Sequence, residues 1–125
     1  MKVLIVDDSS VMRRVLMREL QKLGLADSDI SEAADGLEAV QMSSENQYDA
    51  IFMDWNMPNM LGIDAVKEIR SRGNKTPIMM ITTEGEKTNV VLAIQAGANN
   101  YLVKPFNYDD FRQKFQSLVG AASPN

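Results

Sequence analysis

Val3-Leu4-Ile5-Val6-Asp7-Asp8 and Ala50-Ile51-Phe52-Met53-Asp54 share one pattern: an uninterrupted apolar run that stops at a carboxylate. Apolar runs this short, bounded by turn signals, read as strands buried on both faces of a parallel sheet. The carboxylates then lie at the C-terminal edge of the sheet, which is where open α/β folds bind their ligands. If the two strands are neighbours, Asp7, Asp8 and Asp54 converge on one crevice. Like charges at close range raise one another's pKa and repel, so the cluster calls for a cation. Hard oxygen donors suit Mg²⁺, with Mn²⁺ as a substitute.

Outward from these runs, strands and helices alternate. Ser9 or Ser10 can cap a helix whose apolar stripe is Val11, Met12, Val15, Leu16, Leu20 and Leu23, ended by Gly24. Asp29 to Ala33 is a short second strand, and Asp35-Gly36 turns into a helix carrying Leu37, Val40 and Met42. The third strand spans Tyr48 to Met53, and a loop through Pro58 leads to Gly62. Ala65, Val66 and Ile69 mark the third helix, closed by Gly73-Asn74. Ile78 to Ile81 is the fourth strand, with Val90, Val91 and Ile94 on the helix after it, stopped by Gly97. Asn100 to Val103 is the fifth strand, and Asn107 caps a last helix with Phe111, Phe115 and Leu118. Repeated βα units predict an α/β fold, a parallel sheet with helices on both faces. The folded domain is expected over 1–119, with 120–125 as a frayed tail.

Composition bounds the function. A chain of 125 residues is one domain. With 45% hydrophobic and 24% charged residues it is ordinary for a globular protein. A net charge of −4 argues against nucleic acid or an anionic membrane surface as partner. No apolar stretch approaches transmembrane length, and the start is too short in apolar residues for a signal peptide. Cysteine is absent, which removes disulfides and thiolate metal sites and fits a cytoplasmic protein. Histidine is also absent, so no imidazole of this chain acts as base, ligand or phosphoryl carrier. The nine methionines read first as adaptable core filler and only second as a docking face.

Asp7-Asp8 after strand one, Asp54 after strand three, Thr82 after strand four and Lys104-Pro105 after strand five together resemble the receiver domain of two-component response regulators. Met53-Asp54-Trp55-Asn56-Met57-Pro58-Asn59-Met60 and Ser10-Val11-Met12-Arg13-Arg14 are similar to the single-domain chemotaxis regulators of the CheY type. The resemblance runs from Lys2 to about Val119. It implies a flavodoxin-like (βα)5 sandwich with strand order 2-1-3-4-5. It further implies Asp54 as the site phosphorylated by a partner histidine kinase, with Thr82 and Lys104 attending the phosphoryl group. Mg²⁺ would be held by Asp8, Asp54 and the Asn56 carbonyl, with Asp7 acting mainly through a bound water. The Lys104-Pro105 bond is expected to be cis. Asn56 and Glu84 would flank the attacking water and set a short phosphoryl lifetime. Tyr101, Lys87, Val90 and Lys114 would line the switching face toward a downstream target such as the flagellar motor switch. A phosphatase is a further expected partner, and the protein is expected to be a monomer. The alternative inside the family is a receiver serving a non-chemotaxis phosphorelay or regulating another enzyme.

Each residue also has a plainer reading. A lone Asp after a strand is often a helix N-cap, Thr82 could be a simple β-former beside Thr83, and Tyr101 could be half-buried packing. Leu61, Thr83 and Asn100 depart from the family pattern, which bears on rates and partner contacts. A haloacid-dehalogenase-type phosphatase would need Asp where Asn56 stands, and a flavodoxin would need a hydroxyl- and glycine-rich phosphate loop where Asp7-Asp8 stands.

Overall fold

The computed structural model describes residues 1–83 and 87–122, with 87, 88, 121 and 122 described by backbone alone. Five strands form one parallel sheet in the order β2-β1-β3-β4-β5. They are β1 (Val3–Val6), β2 (Ile30–Ala33), β3 (Ala50–Asp54), β4 (Ile78–Thr82) and β5 (Asn100–Val103). The helices are α1 (Ser10–Lys22), α2 (Gly36–Glu45), α3 (Gly62–Ser71), α4 (Lys87–Ala96) and α5 (Tyr108–Ala122). This is the flavodoxin-like order that the family resemblance implies.

Every residue of β1, β3 and β4 is buried, because each strand alternates between two cores. Leu4, Val6, Ile51, Met53, Ile78 and Met80 face α2, α3 and α4. Val3, Ile5, Phe52, Met79 and Ile81 face α1 and α5. On the second face Phe52 stacks on Phe111 and Phe115, with ring centroids 5.2 and 5.8 Å away. Burying such rings contributes about 1.5–3 kcal/mol each by transfer alone, and their pairing adds to that. Met53, Met57, Met79 and Met80 are buried, and Met12, Met17, Met42 and Met60 pack against the two cores. The core-filler reading of the methionines holds for these.

The caps form as the sequence indicates. Ser9 Oγ accepts from Met12 N–H at 3.2 Å, Asp35 Oδ1 from Glu38 N–H at 2.8 Å, and Asn107 Oδ1 from Asp110 N–H at 2.8 Å. Several expectations need correcting. β3 begins at Ala50, so Tyr48 is buried ahead of the strand, and Asp54 and Thr82 are the last residues of β3 and β4. Asp29 belongs to a 3₁₀ turn before β2. Val11, Leu37, Val91 and Ile94, expected on inward stripes, are exposed. The buried stripe of α1 narrows to Leu16 and Leu20, α2 turns small residues inward (Gly36, Ala39, Ser43) beside Val40, and α4 buries Ala93. Small side chains let these helices approach closely, which leaves their larger neighbours at the rim. α5 runs on through Ala122, past the expected boundary at 119.

Candidate functional site

The pairing register sets the site. Val6 lies opposite Met53, Asp54 opposite Ile81 and Thr82 opposite Val103. The residues that follow or end these strands therefore line one edge. Asp7, Asp54 and Thr82 are buried polar residues there, while Asp8 is exposed at the rim. Carboxylate oxygens of Asp7, Asp8 and Asp54 lie within 4.8 Å of one another. Lys104, after β5, reaches across and donates from Nζ to Asp54 Oδ1 at 3.0 Å and to Asp7 Oδ2 at 3.2 Å. Its own backbone N–H donates to the Thr82 carbonyl at 2.7 Å, and the Lys104-Pro105 bond is cis.

Electrostatics here are strained in one direction. Burial and the neighbouring Asp7 charge push the Asp54 carboxyl above the usual range, against the lowering effect of the Lys104 ammonium. Burial pulls Lys104 down, but its bonds and attraction to Asp54 and then Asp7 outweigh that and raise it. Three carboxylates face one ammonium, a surplus that one divalent cation balances. The donors are hard oxygens, so the residues present fit Mg²⁺.

The acidic corner is built by local bonds. Asp7 Oδ1 accepts from Ser9 N–H at 2.9 Å, and Asp7 N–H extends the ladder to Ala33 O at 3.1 Å. Arg13 Nη1 donates to the Asp7 carbonyl at 2.6 Å while Arg13 Nε pairs with Glu32 on β2 at 3.0 Å. In the sequence Arg13 stands out only within the family segment Ser10-Val11-Met12-Arg13-Arg14. The signal available was a cation in the first turn of α1, where the helix dipole disfavours it unless anions hold it. On β3's side, Gly62 N–H donates to Trp55 O at 2.9 Å, and α3 starts directly on the strand end. A Cβ on Gly62 would lie 1.9 Å from the Asp54 carbonyl oxygen, so only glycine permits this approach. Leu61, the departure noted above, is the N-cap of α3 and makes no side-chain cap bond.

Other expected residues are placed as follows. Asn56 is exposed in the β3–α3 loop. Tyr101 on β5 is partly buried against the core, and Lys114 Nζ lies 4.0 Å from its ring centroid and donates to its carbonyl at 2.7 Å. Val90 is half-buried on α4. Lys87 opens α4, but its side chain lies outside the described residues, as does Glu84 entirely.

The response regulator receiver domain model matches residues 3–116. Chemotaxis protein CheY1 of Helicobacter pylori is 46% identical, covering 96% of this chain and 98% of the relative. A CheY homolog of Campylobacter jejuni is 42% identical, over 98% and 95%. The receiver domain of sensor histidine kinase PA1611 from Pseudomonas aeruginosa, solved with magnesium ion coordinated in its active site cleft, superposes with a TM-score of 0.85 at 33% identity. That match covers 95% of this chain and 97% of the other. The chain belongs to the response regulator receiver family. Receiver domains have an acidic pocket at this sheet edge, and Asp7, Asp8 and Asp54 form one here. Among the described residues no helix is long and apolar enough to cross a membrane.

Proposed function

We propose that this receiver is a phospho-acceptor regulator of chemotaxis, switched by reversible phosphorylation of Asp54. The observation that carries it is the Lys104 ammonium bridging Asp54 and Asp7 with Asp8 close by, three carboxylates gathered around one cation. The chemotaxis assignment is supported by the CheY relatives at 42–46% identity.

A carboxylate oxygen of Asp54 attacks the phosphorus of a phosphohistidine on a partner kinase. The O–P bond forms, the P–N bond breaks, and the imidazole keeps the electron pair. Such transfer depends on position and on neutralised charge more than on covalent chemistry by the enzyme. Mg²⁺ held by Asp8, Asp54 and the Asn56 carbonyl, with Asp7 acting through water, would supply that neutralisation. Lys104 and the Thr82 hydroxyl donate to phosphoryl oxygens, since both are donors at the edge where the new charge arises. The acyl phosphate is lost when water attacks phosphorus and Asp54 leaves as carboxylate. Polar Asn56 beside that water keeps the lifetime short.

Thr82 drawn toward the phosphoryl group vacates space near β5, and Tyr101 moves into it. That changes the face made by α4, β5 and α5, where Val90, Tyr101 and Lys114 meet a target such as the flagellar motor switch. A bias of about 5.5 kcal/mol is enough to take such an equilibrium from 1:99 to 99:1. The protein works as a cytoplasmic monomer.

The test is binding of motor-switch peptides to the protein loaded with beryllofluoride and Mg²⁺, against the EDTA-treated form. Tighter binding of the loaded form, lost in Thr82→Ala and Tyr101→Ala, supports the reading. Equal binding by both forms contradicts the chemotaxis assignment and favours a phosphorelay role.

A further inference from the structure

The loop between β3 and α3 carries Asn56, and it is fastened to a residue outside the Asp7, Asp8 and Asp54 cluster. Asn59, three residues beyond Asn56, has φ of 68°, in the left-handed region that asparagine tolerates better than most residues. Its side-chain Nδ2 donates to Asp35 Oδ2 at 2.7 Å. Next to it, Met60 sits against Gly36: a Cβ there would lie 2.8 Å from the Met60 carbonyl oxygen and 3.0 Å from Met60 Cβ. The loop therefore rests on the first residues of α2. Asp35 uses one oxygen to cap α2 through Glu38 N–H and the other to hold Asn59.

An N-cap needs only one acceptor oxygen. The second bond spans from the α2 start to a loop whose own backbone bonds are Met60 N–H to Pro58 O at 2.7 Å and Gly62 N–H to Trp55 O at 2.9 Å, neither of which ties it to α2. A backbone carbonyl is a useful ligand only where its peptide is held in one orientation, because ordering a loop at the moment of binding costs affinity. Partners outside the ligand set often supply that order.

We propose that Asp35 and Asn59 are a positioning pair that fixes the β3–α3 loop so that the Asn56 carbonyl is presented to the Asp7, Asp8 and Asp54 cluster, setting Mg²⁺ affinity from outside the ligands. This rests on the metal site proposed above. Neither residue belongs to the acidic cluster itself.

Three variants separate positioning from simple helix capping. Asn59→Gly keeps the left-handed backbone accessible and removes only the amide. Asp35→Asn keeps an acceptor for the α2 cap, since asparagine is a good N-cap, but turns a donor toward the Asn59 amide. The double variant Asp35→Asn/Asn59→Asp exchanges donor and acceptor and leaves the total charge unchanged. Calorimetric Mg²⁺ titration and melting in EDTA are measured for each, with Asp8→Ala as the ligand control. Each single variant is expected to weaken Mg²⁺ binding about tenfold, the lower end for loss of a partner outside the ligand set. The double variant should recover most of that loss, and melting of Asp35→Asn in EDTA should stay close to the parent. Single variants that bind Mg²⁺ like the parent overturn the inference. So does a loss that the exchange fails to rescue. If Asp8→Ala weakens binding while Asn59→Gly does not, the pair is wrong and the metal site stands. If the parent binds no Mg²⁺, or Asp8→Ala binds it undiminished, the metal site itself is wrong, and the inference falls with it.

Discussion

At the edge of the sheet where the strands begin, Arg70 is surrounded by neutral acceptors. Its Nε donates to Gly97 O at 3.0 Å, Nη1 to Asn74 O at 2.9 Å and Nη2 to Asn99 Oδ1 at 2.9 Å. Asn99 Oδ1 also receives Ile78 N–H at 2.9 Å, so the guanidinium stitches α3 to the entry of β4 and the end of α4. At the opposite edge, Asp7 and Asp54 are buried with Lys104 between them, and Asp8 adds a third carboxylate. In the first cluster the cation's Nε, Nη1 and Nη2 each donate to a neutral acceptor, and the side chain is only half-buried, so solvent shares its charge. The second has more negative charge than its cation can balance, and burial makes the imbalance costly. A fold keeps such an imbalance where a ligand resolves it, so the two edges divide structure from function.

Arg70→Ala should give the largest change. Loss of a hydrogen-bonded, half-buried guanidinium should lower unfolding free energy by about 3 kcal/mol, read by urea denaturation. Mg²⁺ affinity should be unaffected; a parallel loss of metal binding would mean that the two edges are not separate.

Asp54→Asn should do the reverse in EDTA. The Asp54 carboxyl is raised above 3.8 in the fold, so its ionised form costs stability at every pH above that raised value. Removing the charge leaves Lys104 paired with Asp7 and should raise the melting temperature by a few degrees at neutral pH. As pH falls through the raised pKa the advantage should shrink, because the parent then neutralises itself. A lower melting point for the variant would show that Asp54 is stabilised by Lys104 more than it is strained by Asp7.

Smaller still is the pH dependence of the metal. Mg²⁺ takes the ionised carboxylate, so its affinity should be full above the raised Asp54 pKa and decline as pH falls through it. That decline should begin at a higher pH than an ordinary aspartate would give. Titrations whose affinity tracks an unperturbed carboxylate would remove the strain from the account.

Much of this was readable in the chain. The apolar runs before Asp7 and Asp54 gave β1 and β3 because strands buried on both faces have no polar alternation to confuse. Thr82 and Lys104 were legible only through the family pattern: either is unremarkable alone, and Lys104 meets Asp7 by topology, across almost the whole sequence. The inner face of α4 differs from the expected stripe because Val91, Leu92 and Ile94 are exposed while small Ala93 is buried and Ala96 packs against the core, so apolar character did not mark that face. Arg13 and the Asp35–Asn59 bond escaped for another reason. Each joins a loop to an element paired or packed beside it, and periodicity within one element holds no trace of such a bond.

The central claim, that the unbalanced edge exists to take a phosphoryl group on Asp54, is tested most directly by locating the group. The protein is incubated with acetyl phosphate and Mg²⁺, quenched, and mapped by mass spectrometry after reductive trapping of the acyl phosphate. The account expects a single phosphoryl group on Asp54, absent in EDTA and absent in Asp54→Asn. Modification of another residue, or equal labelling of Asp54→Asn, would contradict it.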